Sequence, residues 1–331
     1  MKKFIYITFL FVGALAHSQD VIFTQNFLVP ETLNSSFTGA LKSFKAGGVF
    51  RSQNRNSVLK TTTKYAFADT WFDDFNAGIG ISVLRQSENI TSYTFNQANF
   101  NYAMEFRISY DWYFRPSISV GLGTKSFGFG GLVLGDQISI NEQIITPSID
   151  PLAARVQKSF FDFSSSILFN NEDSWVGLTI RHINKPNIAL MEGVDAPLDV
   201  FFSIHSKYFL PIFGKSKGTI AENSKLFLLS NFMLQGNYSR FDLGGQYVFN
   251  NKISLGITAA TIPLRTDASN SFLSSISTFV GANHKGFTYG YSYEFNTTEL
   301  QGIIGGIHEV SLSYNFDLTI KTFEKLFNRR L

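Results

Sequence analysis

The sequence predicts an all-β protein, a transmembrane antiparallel β-barrel of about fourteen strands with a short amphipathic helix at its C-terminal end. Three observations predict this fold class. Apolar and polar residues alternate with period two along many segments. No run of about twenty apolar residues, which a spanning helix needs, occurs in the chain. Short turns alternate with longer connections between the alternating segments, as they do in such barrels.

The last two predicted strands carry the clearest alternation. Five aromatic residues occupy every second position between 287 and 295, and small or polar residues such as Gly290 and Ser292 lie between them. Apolar residues alternate with polar ones again from 309 to 318. A continuous aromatic face is expected against lipid, and a small or polar face against a wet lumen. A secreted soluble β protein is the alternative, but it does not explain aromatic outward faces.

The N-terminal residues predict export from the cytoplasm. Residues 1–18 have a basic start, a short apolar run and a small-x-small sequence, so we interpret them as a signal peptide that is cleaved after Ser18. Export combined with period-two strands predicts a Gram-negative outer membrane. The formal net charge is +3, and nothing in it suggests a nucleic-acid partner, which would need a cluster of basic residues. The absence of Cys excludes disulfides and thiolate chemistry.

The remaining elements follow in chain order. Residues 19–42 have no sustained period, and we expect a periplasmic lead-in segment that enters the barrel mouth. The barrel is predicted over 43–318. Its strands are predicted at 44–52, 60–71, 77–86, 92–106, 112–125, 158–169, 174–183, 199–210, 226–236, 240–249, 252–262, 272–283, 287–295 and 309–318. Even-numbered positions of 112–125 are expected to face lipid, with a bulge at Pro116 because proline cannot donate to the ladder.

Turn lengths predict the orientation of the barrel. Short connections are expected near 73–76, 170–173, 250–251 and 284–286, and longer ones at 128–157, 184–198 and 296–305. Because periplasmic turns are the short ones, and because the strand number is even, both termini are predicted to be periplasmic. The long connection 211–224 is an exception on the periplasmic side.

The last thirteen positions, 319–331, have apolar residues at near-helical spacing and four basic residues among them. They predict a short basic amphipathic helix, which we expect to bind the inner leaflet or a periplasmic partner. A solvated tail is the alternative, because so short a helix is marginal alone.

Catalytic, metal and cofactor sites are not predicted. A hydrolase needs a His near a Ser or a carboxylate, and the most suggestive pair is His308 beside Glu309. Adjacent strand residues point to opposite faces, so these two cannot form a dyad. No His or carboxylate pair has ligand spacing on one face. Lumenal charges such as Arg115, Lys125 and Glu294 could tune a pore or pair with a plug.

Five short motifs, at residues 33–39, 50–53, 175–186, 291–294 and 306–316, together resemble the PorP/SprF family of Bacteroidetes outer-membrane proteins, which is associated with type IX secretion and gliding motility. Residues 33–39 resemble the family's Asn-Pro-Ala-Phe-x-Gly signature, although Ser35-Ser36 replaces Pro-Ala. Residues 50–53 resemble an aromatic-Arg-x-Gln element, and 175–186 resemble a mid-barrel motif. Residues 291–294 and 306–316 are similar to the closing hairpin. The motif residues are Asn34, Phe37, Gly39, Arg51, Gln53, Trp175, Gly177, His182, Pro186, Tyr291, Tyr293, Gly306, His308 and Glu309.

The resemblance implies a non-enzymatic outer-membrane barrel that works with type IX secretion components. Its expected partners are membrane lipid, that machinery, and a secreted surface adhesin or similar cargo that the barrel helps to deliver or anchor. No cofactor is implied. The alternative function is a passive porin or small-solute transporter, which the polar lumen alone would support.

Overall fold

The computed structural model describes residues 20–53, 60–128, 137–139, 144–146, 156–191, 193–211, 224–264, 273–297 and 305–316. The predicted signal peptide, 1–18, and the predicted amphipathic helix, 319–331, lie outside these residues. The described residues form strands and short 3-10 turns, and they contain no α-helix. None of their helical segments has the length and apolar character that a membrane crossing requires.

Seventeen strands lie in the described part of the chain. Two short ones, β7 and β8, pair only with each other. The strands are β1 Phe44–Gln53, β2 Thr61–Phe72, β3 Ala77–Glu88, β4 Thr94–Met104, β5 Phe106–Arg107, β6 Tyr113–Phe127, β7 Ile138–Ser139, β8 Ile144–Ile145, β9 Val156–Asn170, β10 Trp175–Arg181, β11 Phe201–Leu210, β12 Lys225–Gln235, β13 Tyr238–Phe249, β14 Ile253–Thr261, β15 Leu273–His284, β16 Phe287–Asn296 and β17 Ile307–Phe316.

The strands close into an antiparallel barrel. Neighbours in sequence pair with each other, β4 pairs with β6, β6 with β9, and β1 with β17. The two-residue β5 continues β4 along β6, so fourteen strand positions form the wall. The predicted all-β barrel of fourteen strands is therefore confirmed, and its closure leaves no open sheet edge.

The predicted facing of β6 and β16 is also confirmed. Along β16 the aromatic positions are exposed or half-buried, whereas Gly290, Ser292 and Glu294 are buried. Along β6 the even positions from Phe114 to Leu122 are half-buried or exposed, and Arg115 is fully buried. The bulge expected at Pro116 is absent from β6, because its register with β9 is continuous. Instead the ladder on the other side is interrupted opposite Pro116, between β4 and β5.

The two ends of the barrel differ in their connections. At one end, which we call the short-turn end, the links include 73–76, 171–174, 250–252 and 285–286. At the other, the long-loop end, the links include 128–155, 182–200, 262–272 and 297–306. The long link 211–224 does lie at the short-turn end, since β11 and β12 pair from Leu210 and Leu226 onward. One tight turn at Gly236, with φ +54°, lies at the long-loop end.

The interior is filled by residues 20–42, which we call the plug. Its apolar side chains make two buried clusters with wall residues. Phe23 and Val29 pack against Val49, Tyr65 and Phe67. Phe27 packs in the other cluster against Phe227, Leu229 and Phe279. Tyr65 and Phe67 of β2 therefore face inward, because the plug supplies an apolar surface inside the lumen.

Candidate functional site

The plug runs the length of the lumen. Asp20 contacts residues at the long-loop end, Thr24 and Gln25 contact β17, and Asn34 contacts β11. Gly39 donates its backbone N–H to Asp69 at the short-turn end. Each stage of this path is held by a polar group of the wall, so the plug–wall interface is the candidate functional site.

His182 binds the first described residue of the plug. Its Nε2 lies 2.8 Å from Asp20 Oδ1, and its Nδ1 lies 2.9 Å from Asp162 Oδ1. The side chain of His182 is buried in the lumen, although His182 has the same parity as the outward-facing Val176 of β10. The strand β10 ends at Arg181, and a positive φ of 59° at His182 turns its side chain into the lumen.

The charges around Asp20 reinforce each other. Burial alone would lower the pKa of His182, but the carboxylates of Asp20 and Asp162 raise it to about 9. His182 is therefore a cation at neutral pH. Burial alone would raise the pKa of Asp20, yet His182 and Arg181 hold it well below its ordinary range. Gln235 also binds Asp20, with its Oε1 2.7 Å from the backbone N–H.

Glu309 holds the middle of the plug. Its side chain is fully buried and accepts hydrogen bonds from the backbone N–H groups of Thr24 and Gln25, at 3.0 and 3.1 Å. Arg51 Nη1 donates to the same carboxylate at 2.7 Å, and Arg51 Nη2 lies 3.4 Å from Gln53 Oε1. A buried charge is stable only when it is paired and hydrogen-bonded. The Glu309 carboxylate satisfies that condition through Arg51 and the backbone N–H groups of Thr24 and Gln25.

Asn34 anchors the next turn. Its Oδ1 accepts from Ser36 N at 2.7 Å, which caps the 3-10 turn Ser35–Phe37. Its Nδ2 lies 2.9 Å from His205 Nε2. A Cβ at Gly177 would come within 2.5 Å of His205 and 2.7 Å of Asn34, so only glycine leaves room for this pair.

The departure from the family signature at Ser35 and Ser36 has a structural role. Both hydroxyls hydrogen-bond to Ser117 Oγ, at 2.8 and 2.9 Å. The backbone carbonyls of Ser36 and Thr38 accept from the guanidinium of Arg115. This segment is therefore fixed by hydroxyls and an arginine.

Aromatic packing and a close backbone approach fix the last part of the plug. Phe37 makes an edge contact with Trp175, with ring centroids 5.2 Å apart. Gly39 has φ +67°, and a Cβ there would lie 2.6 Å from Gly78 Cα. Arg115 pairs with Glu105 at 2.5 Å, and Glu105 also binds Lys42 at 2.7 Å.

Two cavities flank the plug. One, of about 810 Å³, lies at the short-turn end and is lined by Glu31, Phe37, Lys42 and turn residues such as Glu172. The other, of about 410 Å³, lies at the long-loop end and is lined by Asp20, Val21, Ile22 and charged wall residues. Between them the spaces beside the plug are much smaller, about 70 and 10 Å³.

The connection 182–200 folds over the long-loop end. Ile188 and Leu198 are buried and pack against Phe160 of β9. The backbone N–H of Leu198 donates to the carbonyl of the motif residue Pro186 at 2.9 Å. This connection was predicted to meet cargo, and its apolar side chains are partly used to cover the lumen.

A second group of motif residues lies on the outer face, away from the plug. His308 Nδ1 is hydrogen-bonded to the hydroxyl of Tyr291 at 2.9 Å, and its ring lies 4.7 Å from that of Tyr293. A Cβ at Gly306 would lie 2.1 Å from the Tyr293 hydroxyl. His308 and Glu309 thus point to opposite faces, as the sequence predicted.

The arrangement holds a chain segment in place. In the described parts of the chain, no group of three or more His, Cys, Asp or Glu side chains could hold a metal ion. The sequence did not identify several residues that fix the plug. These are Asp20, Thr24, Gln25, Asp162, Arg181 and His205. Asp162 could have been found from the sequence, because it is a charged residue on the lumenal face of a predicted strand.

Comparisons with known proteins agree with this architecture. The family model described as "Type IX secretion system membrane protein PorP/SprF" matches residues 15–314. No curated protein matches the chain. A deltaS2S3 mutant of the monoaromatic hydrocarbon channel TodX is similar in structure, with a TM-score of 0.50, 9% identity, and coverage of 90% of this chain and 95% of that chain.

Two further solved structures are similar at lower scores. The P. putida toluene transporter TodX has a TM-score of 0.46 and 9% identity, and the match covers 86% of this chain and 93% of that chain. The Acinetobacter baumannii outer membrane protein Omp33 has a TM-score of 0.43 and 9% identity, with coverage of 83% and 98%.

Proposed function

Because the chain belongs to the type IX secretion system membrane protein PorP/SprF family, we propose that it is a non-enzymatic outer-membrane component of the type IX secretion and gliding machinery. In this role it helps to secrete or anchor a large surface adhesin or other cargo. The barrel fold and the family both support an outer-membrane location.

The observation that carries this proposal is the occupied lumen. A passive porin needs a continuous aqueous path, whereas here the plug is held by buried hydrogen bonds at Asp20, Thr24, Gln25, Asn34 and Gly39. A hydrogen bond to a charged group, such as those made by Asp20 and Glu309, contributes about 1.5–3 kcal/mol. A barrel closed from within suits a protein that binds partners with its ends.

Of the long loops, chiefly 128–157 and 184–198 form the proposed cargo-binding surface. Residues 128–157 lie largely outside the described residues, but much of the loop 184–198 is described. Met191 and Val194 in this loop are about half exposed, at 53% and 47%. Exposed apolar side chains beside a covered lumen are suited to contact with another protein. The tail 319–331 is proposed to contact lipid or machinery in the periplasm.

Affinity purification from the native membrane tests this proposal. The variant Met191→Asp/Val194→Asp is expected to recover secretion components but less of the exported cargo. Leu264→Asp is the matched control, because Leu264 is 57% exposed on another long loop. Recovery of lipid alone by the unmodified protein would contradict the secretion role.

The alternative is a passive porin or small-solute transporter. The polar lining of the cavity at the long-loop end is the observation that favours it. A steady conductance with the plug in place would support this alternative.

A further inference from the structure

The course of the plug assigns a side of the membrane to each of its ends. Asp20 binds His182 and Gln235, which lie at the ends of β10 and β12 that lead to the long-loop end. Val21 and Ile22 line the cavity at the same end. Many other residues that line this cavity are strand ends next to the long loops, namely Gln53, Gln86, Ile262, Asn296, Gly305 and Ile307.

The other end of the plug leaves the lumen at the opposite side. Gly39 binds Asp69, and Lys42 binds Glu105, both beside the short turns. The chain then enters β1 at Phe44, which pairs with Phe316, the last residue of β17. The last strand therefore ends at the short-turn end, whereas Asp20 lies at the long-loop end.

Long loops face the cell surface in barrels of this class, and short turns face the periplasm. We propose that residues 20–22 are a cell-surface element of the protein, accessible from outside the cell through the cavity at the long-loop end. This differs from the prediction that both termini are periplasmic. An even number of strands places both ends of the barrel wall on the same side of the membrane. It does not account for a segment that precedes the wall and crosses the lumen.

Two features connect this element to the surface loops. Asp20 is bound to His182, and His182 begins the connection 182–200. Arg181 Nη1 lies 3.4 Å from Asp20 Oδ2, and Arg181 Nη2 donates to the carbonyl of Thr32 at 2.6 Å. The start of the connection 182–200 and the first residues of the plug are therefore joined by a direct hydrogen bond.

Single-cysteine labelling tests the proposal, because the chain has no Cys of its own. A small membrane-impermeant thiol reagent is applied to intact cells and to cells with a permeabilised outer membrane. The variants are Val21→Cys for the plug, Met191→Cys for a surface loop, and Tyr110→Cys and Leu41→Cys for the short-turn end. Met191, Tyr110 and Leu41 are 53%, 82% and 57% exposed. Heat-dependent gel migration verifies that each barrel is folded.

We expect Val21→Cys and Met191→Cys to be labelled in intact cells, and the other two variants only after permeabilisation. The proposal is overturned when folded Val21→Cys is labelled only after permeabilisation or in neither condition. Labelling of Tyr110→Cys but not Met191→Cys in intact cells also overturns it, since the barrel would then have the opposite orientation.

Discussion

Replacing Glu309 with Ala should release the plug from the wall. The substitution removes the acceptor of the Thr24 and Gln25 N–H groups and leaves the buried Arg51 guanidinium without its carboxylate. Breaking a buried ion pair by removing one partner costs about 3–5 kcal/mol. Because 1.4 kcal/mol is a factor of ten, the released population should rise roughly a hundredfold to a few thousandfold.

Hydrogen–deuterium exchange of residues 20–30 measures this effect in the purified protein. Faster exchange is expected in Glu309→Ala, and a smaller effect in Glu309→Gln, which keeps one acceptor but loses the charge. Val310→Ala is the matched control, because Val310 is the next residue of β17 and is 52% exposed on the outer face. Equal exchange in Glu309→Ala and Val310→Ala would refute the assignment of Glu309 as an anchor of the plug.

Three further predictions concern glycines and pH. Gly177→Ala should lower the free energy of unfolding by about 1–3 kcal/mol, the cost of overpacking, and so lower the thermal unfolding temperature. Gly245→Ala should be tolerated, because its Cβ would meet nothing closer than 3.6 Å. Equal unfolding temperatures of the two variants would contradict this. Gly39→Ala should destabilise the protein more than Gly193→Ala. Both glycines have a positive φ, but only a Cβ at position 39 would meet backbone at 2.6 Å. The thermal unfolding temperatures of the two variants test this. The stabilisation from protonated His182 is fully present below its ordinary pKa of 6.5 and is lost as pH rises through about 9; the protection factor of residues 20–25, which corrects exchange for its intrinsic rise with pH, should therefore fall between pH 8 and 10, and His182→Ala should remove that step.

The wall of the barrel could be predicted from the sequence because its signals are local. The alternation in β16 and the short turns at 73–76 and 250–252 each depend on neighbouring residues only. The inward position of His182 could not be predicted from this alternation. Its side chain direction depends on one positive φ at the end of β10, which breaks the period-two pattern.

The plug could not be derived from local pattern, since its bonds join distant parts of the chain. Thr24 meets Glu309 and Asn34 meets His205, and neither pair has any sequence spacing that predicts contact. The motif residues did indicate the region, because Asn34, Gly177 and Glu309 all lie at the plug–wall interface. Their roles in holding the plug follow only from the packing around them.

The closed lumen is tested most directly by single-channel recording in planar bilayers. The unmodified barrel should show no steady conductance, because the plug separates the two cavities. Glu309→Ala should show openings that the unmodified protein lacks. A steady open pore in the unmodified protein, with residues 20–42 intact, would contradict the account and favour a passive porin.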